Sequence, residues 1–225
     1  VKYMVDKTLS KVCEEKTPSE ILNVSVADIA CGSGIFLEEA FAYLQDYCVQ
    51  WYISNGQTDH LIETGIDLYK LPLQEKKDIL CSCIYGIDID IHAVEVAKFS
   101  LLIKLIEDET APSVAEVVPI LPDLGDNIQF GNSLVSQTEL NGISGANHQM
   151  MEIAPFDWNA INNGCGFDVI IGNPPYVNTE GMHTLLPSAE VEVYKKKYKT
   201  SHKQFDKYFI FIEQAINKIK ENGLV

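Results

Sequence analysis

The run Phe167-Asp168-Val169-Ile170-Ile171-Gly172-Asn173-Pro174-Pro175-Tyr176 constrains this chain more than any other. Val169, Ile170 and Ile171 are β-formers without alternation, the pattern of a short strand covered on both faces. The two prolines then stop the sheet, because each presets its own φ, lacks an N–H and restricts the residue before it. The chain therefore leaves the sheet with an amide side chain, a backbone carbonyl and an aromatic ring held close together. An amide oxygen beside a carbonyl can grip an exocyclic amino group, and a neighbouring ring can stack on the base that carries it. Adjacent prolines after a strand are most often a plain turn, but a plain turn does not account for Asn173 and Tyr176 at these offsets.

Three further strand ends carry polar side chains. Val24 to Asp28 reads as the first strand, followed by the turn Asp28-Ile29-Ala30-Cys31-Gly32-Ser33-Gly34 and a helix from Ile35 to about Ser54. Glycine at 32 and 34 permits a tight strand-to-helix turn and close approach of a ligand to the backbone. Alone, such a turn could equally hold a dinucleotide. Ile84 to Ile89 reads as the second strand, where Asp88 can accept hydrogen bonds from both hydroxyls of a ribose. Asn127 to Phe130 is the third, ending in Gly131-Asn132-Ser133-Leu134. Strands alternating with helices predict an α/β fold with a doubly wound, mostly parallel sheet.

The remaining elements follow from hydrophobic spacing. A helix over 1–16 has Val1, Met4, Val5, Leu9 and Val12 on one face, opens without a cap and is broken at Pro18 and Ser19. Residues 55–71 read as loop, 72–83 as helix, 91–107 as helix and 109–125 as an acidic, proline-rich loop. The Asn- and Gly-rich stretch 136–166 reads as an irregular excursion, expected to be poorly ordered. A lysine-rich loop follows the Asn-Pro-Pro-Tyr tip. The last helix is expected from about Phe205 to Glu221, with Tyr208, Ile212, Ala215 and Ile219 inward and Asn222-Gly223 as its cap. The chain then stops where another strand should begin.

With 225 residues, 46% of them hydrophobic, the chain has material for one large core. It shows no signal peptide and no apolar run near the ~20 residues of a membrane span. The six cysteines have no zinc spacing and read as reduced thiols of a cytoplasmic protein, and the five histidines suggest no metal or triad. A net charge of −15 opposes binding to a phosphate backbone, save through a local basic surface. The candidate for that surface is Lys195, Lys196, Lys197, Lys199, Lys203 and Lys207, interleaved with Tyr194 and Tyr198; a solvated loop explains the charges equally well.

Asn173-Pro174-Pro175-Tyr176 resembles the motif of S-adenosylmethionine-dependent amino methyltransferases, especially those acting on N6 of adenine in DNA. Asp28-Ile-Ala-Cys-Gly-Ser-Gly-Ile-Phe is similar to that family's Asp-Pro-Ala-Cys-Gly-Ser-Gly-x-Phe, with Ile29 in place of proline. Asp206-Lys207-Tyr208 resembles its Asp-Leu-Tyr. Asp88 lies 54 positions beyond Gly34, whereas a bare βαβ unit places its ribose acid after ~20, so an insertion over about 50–80 is expected. Large bacterial restriction-modification methyltransferases resemble this layout better than compact glutamine or ribosomal-RNA methyltransferases do.

The resemblance implies a Rossmann-like class I methyltransferase fold, truncated at its C-terminal strands, with 1–225 as a catalytic domain lacking its target-recognition part. It implies that Ala30, Gly32 and Gly34 lie against the methionine of S-adenosylmethionine, beside Asp28. Asp88 would hold the ribose, Ile89 would pack on adenine, and Asn132 with the Ser133 backbone would read the adenine edge. Asn173, Pro174, Pro175 and Tyr176 are the implied catalytic residues, and double-stranded DNA the implied partner. Alternatives are methylation of protein glutamine or RNA, a non-catalytic scaffold, and, more distantly, a nicotinamide-dependent oxidoreductase, which leaves the tip unexplained.

Overall fold

The structure, a computed structural model, describes residues 1–110 and 117–225. In chain order its strands are β1 (Val26–Asp28), β2 (Ile62–Gly65), β3 (Leu68–Lys70), β4 (Ile84–Asp88), β5 (Ile128–Phe130), β6 (Phe167–Ile170) and β7 (Ile219–Leu224). Five of them form one sheet in the order β5-β4-β1-β6-β7, and every neighbouring pair in it is parallel. The chain winds outward from β1 through β4 to β5, then returns to the other side of β1 for β6 and β7. The winding therefore reverses between β1 and β6, with Val26 opposite Val169 and Ala27 opposite Ile170. At such a reversal the loops after the two strands diverge and leave a crevice at the carboxyl edge. The doubly wound parallel sheet is as the sequence predicts.

Successive strand residues point to opposite faces, so the sheet has two cores. Val26, Ile84, Ile128, Val169 and Ile171 face a layer made by α1 (Lys2–Cys13), α2 (Pro18–Ile21), α3 (Ile35–Ser54), α4 (Leu73–Cys83) and α5 (Ile91–Ile106). Leu37, Phe41 and Leu44 of α3 are fully buried there, each worth about 1.5–3 kcal/mol of transfer free energy. Ala27, Ile87, Phe167 and Ile170 face the second layer, with α6 (Gln137–Leu140), α7 (Ala146–Ile153), α8 (Thr179–Leu185), α9 (Ser188–Lys197) and α10 (Lys207–Lys218).

The structure departs from the sequence reading in several places. The break at Pro18-Ser19 is a one-turn helix closed by a Thr17–Glu20 capping box, which satisfies N–H groups that a bare turn would leave to water. Residues 55–71 contain the antiparallel β2–β3 ribbon, with Ile62 opposite Lys70; together with α4 it forms the insertion expected before Asp88. The excursion 136–166 is ordered: Leu140, Ile143, Ala146, Ile153, Phe156 and Ile161 are buried, so its apolar residues cover a sheet face despite an irregular backbone. The last helix ends at Lys218, three residues short, and 219–224 pairs with β6 as a strand. Asn222 and Gly223 do not cap a helix there. Asn222 has φ +65° within β7, and a Cβ on Gly223 would meet the Asp168 carbonyl at 2.9 Å. Of the acidic loop at 109–125, residues 111–116 lie outside the described residues.

Candidate active site

The turn after β1 is laced to β4. Cys31 N–H donates to the Ile87 carbonyl at 3.0 Å, and Gly32 N–H donates to Asp88 Oδ2 at 2.7 Å. Asp88 Oδ1 accepts from Asp90 N–H at 2.9 Å, so one carboxylate fixes both the glycine turn and the start of α5. Gly34, the N-cap of α3, has φ +89° and lies where a Cβ would be 3.0 Å from Ala97 Cβ. A side chain here meets backbone strain and helix α5 together, which is why the turn needs glycine.

Asp28, at the end of β1, is 2% exposed and accepts from Ala30 N–H at 3.0 Å. Burial pushes its carboxyl up to about 7; the Ala30 bond opposes the shift and the negative charge of Asp88 adds to it.

At the end of β5 the Asn132 and Ser133 side chains are both hydrogen-bonded within the fold. Asn132 Oδ1 accepts from Leu134 N–H at 3.1 Å, and its Nδ2 donates to Glu190 Oε1 at 3.0 Å. Glu190 is itself 1% exposed, also accepts from the Tyr194 hydroxyl, and pairs with Lys207 Nζ at 3.4 Å. Ser133 Oγ donates to the Ile29 carbonyl at 2.6 Å, while Gln214 Nε2 donates to the Ser133 carbonyl at 2.9 Å. The Asn132 amide is thus held in one orientation rather than hanging into a loop.

After β6 the tip stands out from the sheet. Asn173, Pro175 and Tyr176 are exposed and Pro174 is half-buried. The Tyr176 hydroxyl lies 3.5 Å from Asn173 Oδ1, a long contact that leaves this amide oxygen accessible.

Two cavities meet at this edge. The smaller, about 290 Å³, is lined by Ala30, Asp88, Ile89, Asn132, Ser133, Asn173, Pro175, Lys207 and Phe211 among others. The larger, about 650 Å³, holds Asp28, Ala30, Gly172, Pro174, Tyr208 and Phe211, with Tyr3, Met4 and Lys7 of α1 on its far wall. Ile29, Ala30 and Phe211 belong to both. Thus Asp88, Ile89, Asn132 and Ser133 share one cavity with Asn173 and Pro175, while Asp28 and Pro174 lie in the adjoining one. Gly32 and Gly34 shape the turn without lining either cavity, and Tyr176 also lines neither. Among the described residues no group of His, Cys, Asp or Glu is placed to hold a metal ion.

Sequence reasoning missed Phe211 and Lys207 as wall residues, and Glu190 as the buried carboxylate that holds Asn132 and Lys207. Phe211 sits three residues beyond Tyr208 on α10; the inward face of that helix is Ile210, Phe211, Gln214 and Ala215, offset from the face expected. Glu190 lies in a stretch read as loop that folds as α9, and a lone glutamate there gives no signal. The basic surface also needs correction. Tyr194 and Tyr198 are buried, Lys207 is buried against Glu190, and Lys197 pairs with Glu139 at 2.9 Å. Lys197 Nζ also lies over the buried Tyr198 ring, 4.8 Å from its centroid, so that cation is spent within the fold, and of the six lysines only Lys195, Lys196, Lys199 and Lys203 are exposed.

A parallel sheet with its glycine turn, its acidic strand end and a proline-stiffened tip on the strand next to that turn together define a Rossmann-like methyltransferase fold. Comparison with known proteins narrows this class. Residues 82–225 match the Eco57I restriction-modification methylase family model, and the chain belongs to that family. It is 45% identical over 223 residues to the type II restriction enzyme and methyltransferase RM.Eco57I of Escherichia coli, covering 99% of this chain and 21% of that protein. It is 24% identical over 203 residues to the type II methyltransferase M.BstVI of Geobacillus stearothermophilus, covering 89% of this chain and 27% of the relative. The chain therefore spans about a fifth to a quarter of the length of these relatives. Its fold is similar to that of a nuclease-deletion mutant of the Type ISP restriction-modification enzyme LlaGI, solved with a DNA substrate mimic. That match has a TM-score of 0.53 and 17% identity, and covers 98% of this chain and 16% of the other.

Proposed function

We propose that this chain carries the catalytic site of an S-adenosylmethionine-dependent DNA methyltransferase acting on the N6 amino group of adenine. The observation that carries the reading is the meeting of Asn173 and Pro175 with Asp88, Ile89, Asn132 and Ser133 around one cavity. The adjoining cavity continues past Ala30 to Asp28, so the two accommodate an elongated ligand with a ribose at one end and a cation at the other. The residues fit such a donor. Asp88 has lone pairs left to accept two ribose hydroxyls after its two backbone bonds. Ile89, 44% exposed, offers apolar surface to a ring, Phe211 walls the same cavity, and buried Asp28 suits an ammonium.

When bound, S-adenosylmethionine supplies an electrophilic methyl group on a sulfonium. The protein's task is to make adenine N6 a better nucleophile, since its lone pair is delocalised into the ring. Asn173 Oδ1 and the Pro174 carbonyl accept the two amino hydrogens, favour a tetrahedral nitrogen and stabilise the positive charge that develops on it. Tyr176, 69% exposed, offers a ring face to a base extruded from the duplex, since the amino group cannot be approached inside the stack. No base is required before transfer, because the proton leaves after the new N–C bond forms.

Residues 1–225 are read as the catalytic domain, with sequence recognition of DNA supplied outside them. The net charge of −15 and the small share of RM.Eco57I that the chain spans support this division. The test is nucleoside analysis of duplex DNA incubated with the intact protein and methyl-labelled S-adenosylmethionine. Label in N6-methyladenine is the expected result; label in cytosine, in RNA or in protein glutamine would overturn the substrate assignment.

A further inference from the structure

Asp206-Lys207-Tyr208 opens α10 directly behind the tip, and the chemistry above gives its ring no task. We propose that Tyr208 is a positioning residue for the target base: it backs one face of the Tyr176 ring so that the extruded adenine stacks on the other. This deepens the proposed function and rests on it.

The two rings are stacked, with centroids 5.1 Å apart and planes 11° from parallel. Tyr176 remains 69% exposed, so the face turned from Tyr208 is open. One carboxylate oxygen locks both backbones: Asp206 Oδ1 accepts from Val177 N–H at 3.2 Å and from Tyr208 N–H at 2.9 Å. Lys207 N–H donates to the Val177 carbonyl at 2.8 Å, and an antiparallel bridge pairs Asn178 with Asp206. Thr179 Oγ1 extends the clamp by donating to the Phe205 carbonyl at 2.8 Å. The residue following Tyr176 and Tyr208 itself are therefore held by the same short ladder.

Without this support Tyr176 would be an exposed ring on a projecting tip, tethered only by a 3.5 Å contact to Asn173. Capturing a base would then cost the rotamer freedom of that ring. Tyr208 removes the cost beforehand, because the ring is already held flat. The alternative, a base inserted between the two rings, would have to separate a stack that is already formed. Docking on the outer, exposed face leaves that stack intact. The structure thus assigns Tyr208 the back of the platform.

The experiment uses the intact protein with duplex DNA carrying 2-aminopurine or adenine at the target, and variants Tyr208→Ala, Tyr208→Leu, Tyr208→Phe, Tyr176→Ala and Tyr176→Ala/Tyr208→Ala. Single-turnover methyl transfer, 2-aminopurine fluorescence and S-adenosylmethionine affinity by calorimetry are read for each. Tyr208→Ala should slow methyl transfer, measured at saturating donor, by about 2- to 10-fold and weaken the fluorescence change on DNA binding. Tyr208→Leu keeps apolar volume on α10 but removes the ring, and should show the same loss; Tyr208→Phe should restore the rate. In the Tyr176→Ala background, removing Tyr208 should cost nothing further. Full rate in Tyr208→Ala and Tyr208→Leu, or an equal loss with and without Tyr176, overturns the role of Tyr208 alone. Full rate in Tyr176→Ala overturns the stacking reading on which it rests.

Discussion

Gly172 lies directly against the Asp28 carboxylate: a Cβ at position 172 would stand 2.4 Å from Oδ1 and 2.9 Å from Oδ2. The residue that launches the tip therefore touches the acid ending the neighbouring strand, and the two halves of the site meet with no side chain between them. Gly172→Ala must push the carboxylate or the tip aside. We expect it to lower stability by about 1–3 kcal/mol, as overpacking of a dense site does, and to depress methyl transfer by more than tenfold. Denaturant melts and turnover of the variant in the intact protein check this, and wild-type values for both would show that the contact has slack.

The buried Asp28 carboxyl makes stability depend on pH in a direction opposite to most acids. Its folded value of about 7 lies above its ordinary 3.8, so the folded state binds the extra proton between those limits. The protonated form's stabilisation is complete below the ordinary value and is lost as pH rises through about 7. Asp28→Asn mimics the neutral form and can keep the Ala30 bond. It should be more stable than wild type at pH 8, by at most about 4 kcal/mol, with the gap closing as pH falls toward 4. Thermal melts at pH 8, 6 and 4 test this; a gap that is constant or widens in acid would show that burial does not govern Asp28. The same variant should bind S-adenosylmethionine more weakly at pH 8, having lost the charge that meets its ammonium.

Asp88→Ala should weaken S-adenosylmethionine binding by about 10- to 100-fold, the range for charge-assisted hydrogen bonds. Two losses combine in it, because the Asp88 carboxylate also holds the N–H groups of Gly32 and Asp90. Asp88→Asn keeps an acceptor for one of them and should be milder. Calorimetry on both distinguishes the roles, and equal affinity in folded Asp88→Ala would move the ribose elsewhere.

Asn173→Ala should abolish most methyl transfer, by roughly 100-fold or more, while leaving donor affinity within a few-fold of wild type. Its amide is exposed and has only a long contact to Tyr176, so removing it disturbs little of the fold. Rates measured at saturating donor isolate this effect. Near-normal turnover would remove Asn173 from the chemistry.

The parts of the fold that were legible in the sequence are those in which one residue type does one local job. Consecutive Val169-Ile170-Ile171 ahead of two prolines reads as a covered strand, and Gly34 sits at a positive φ beneath a close helix. The strand ends at Asp28, Asp88 and Asn132 were legible because their neighbours are a glycine turn or a helix start. What stayed hidden depends on partners distant in the chain. Ile143, Ile153 and Phe156 follow no period, and their burial comes from a sheet face formed by residues elsewhere. Lys207 reads as a surface cation until Glu190 is found beneath it, 3.4 Å away. Strand β7 was masked by its own Asn222-Gly223, which resembles a helix cap but is tolerated at the irregular pairing with β6.

The side-by-side pairing of β1 and β6 fixes the scale on which the site operates. The glycine turn and the Asn-Pro-Pro-Tyr tip are far apart along the chain, yet their roots are separated by one interstrand spacing, ~4.8 Å in any sheet. The spacing between the roots of turn and tip, which the proposed function makes the donor and acceptor sides, is thus set by backbone hydrogen-bond length, a quantity that substitution barely alters. The β2–β3 ribbon and the 136–166 wall lie outside that pair, so a change of length in either leaves the spacing of the two roots untouched.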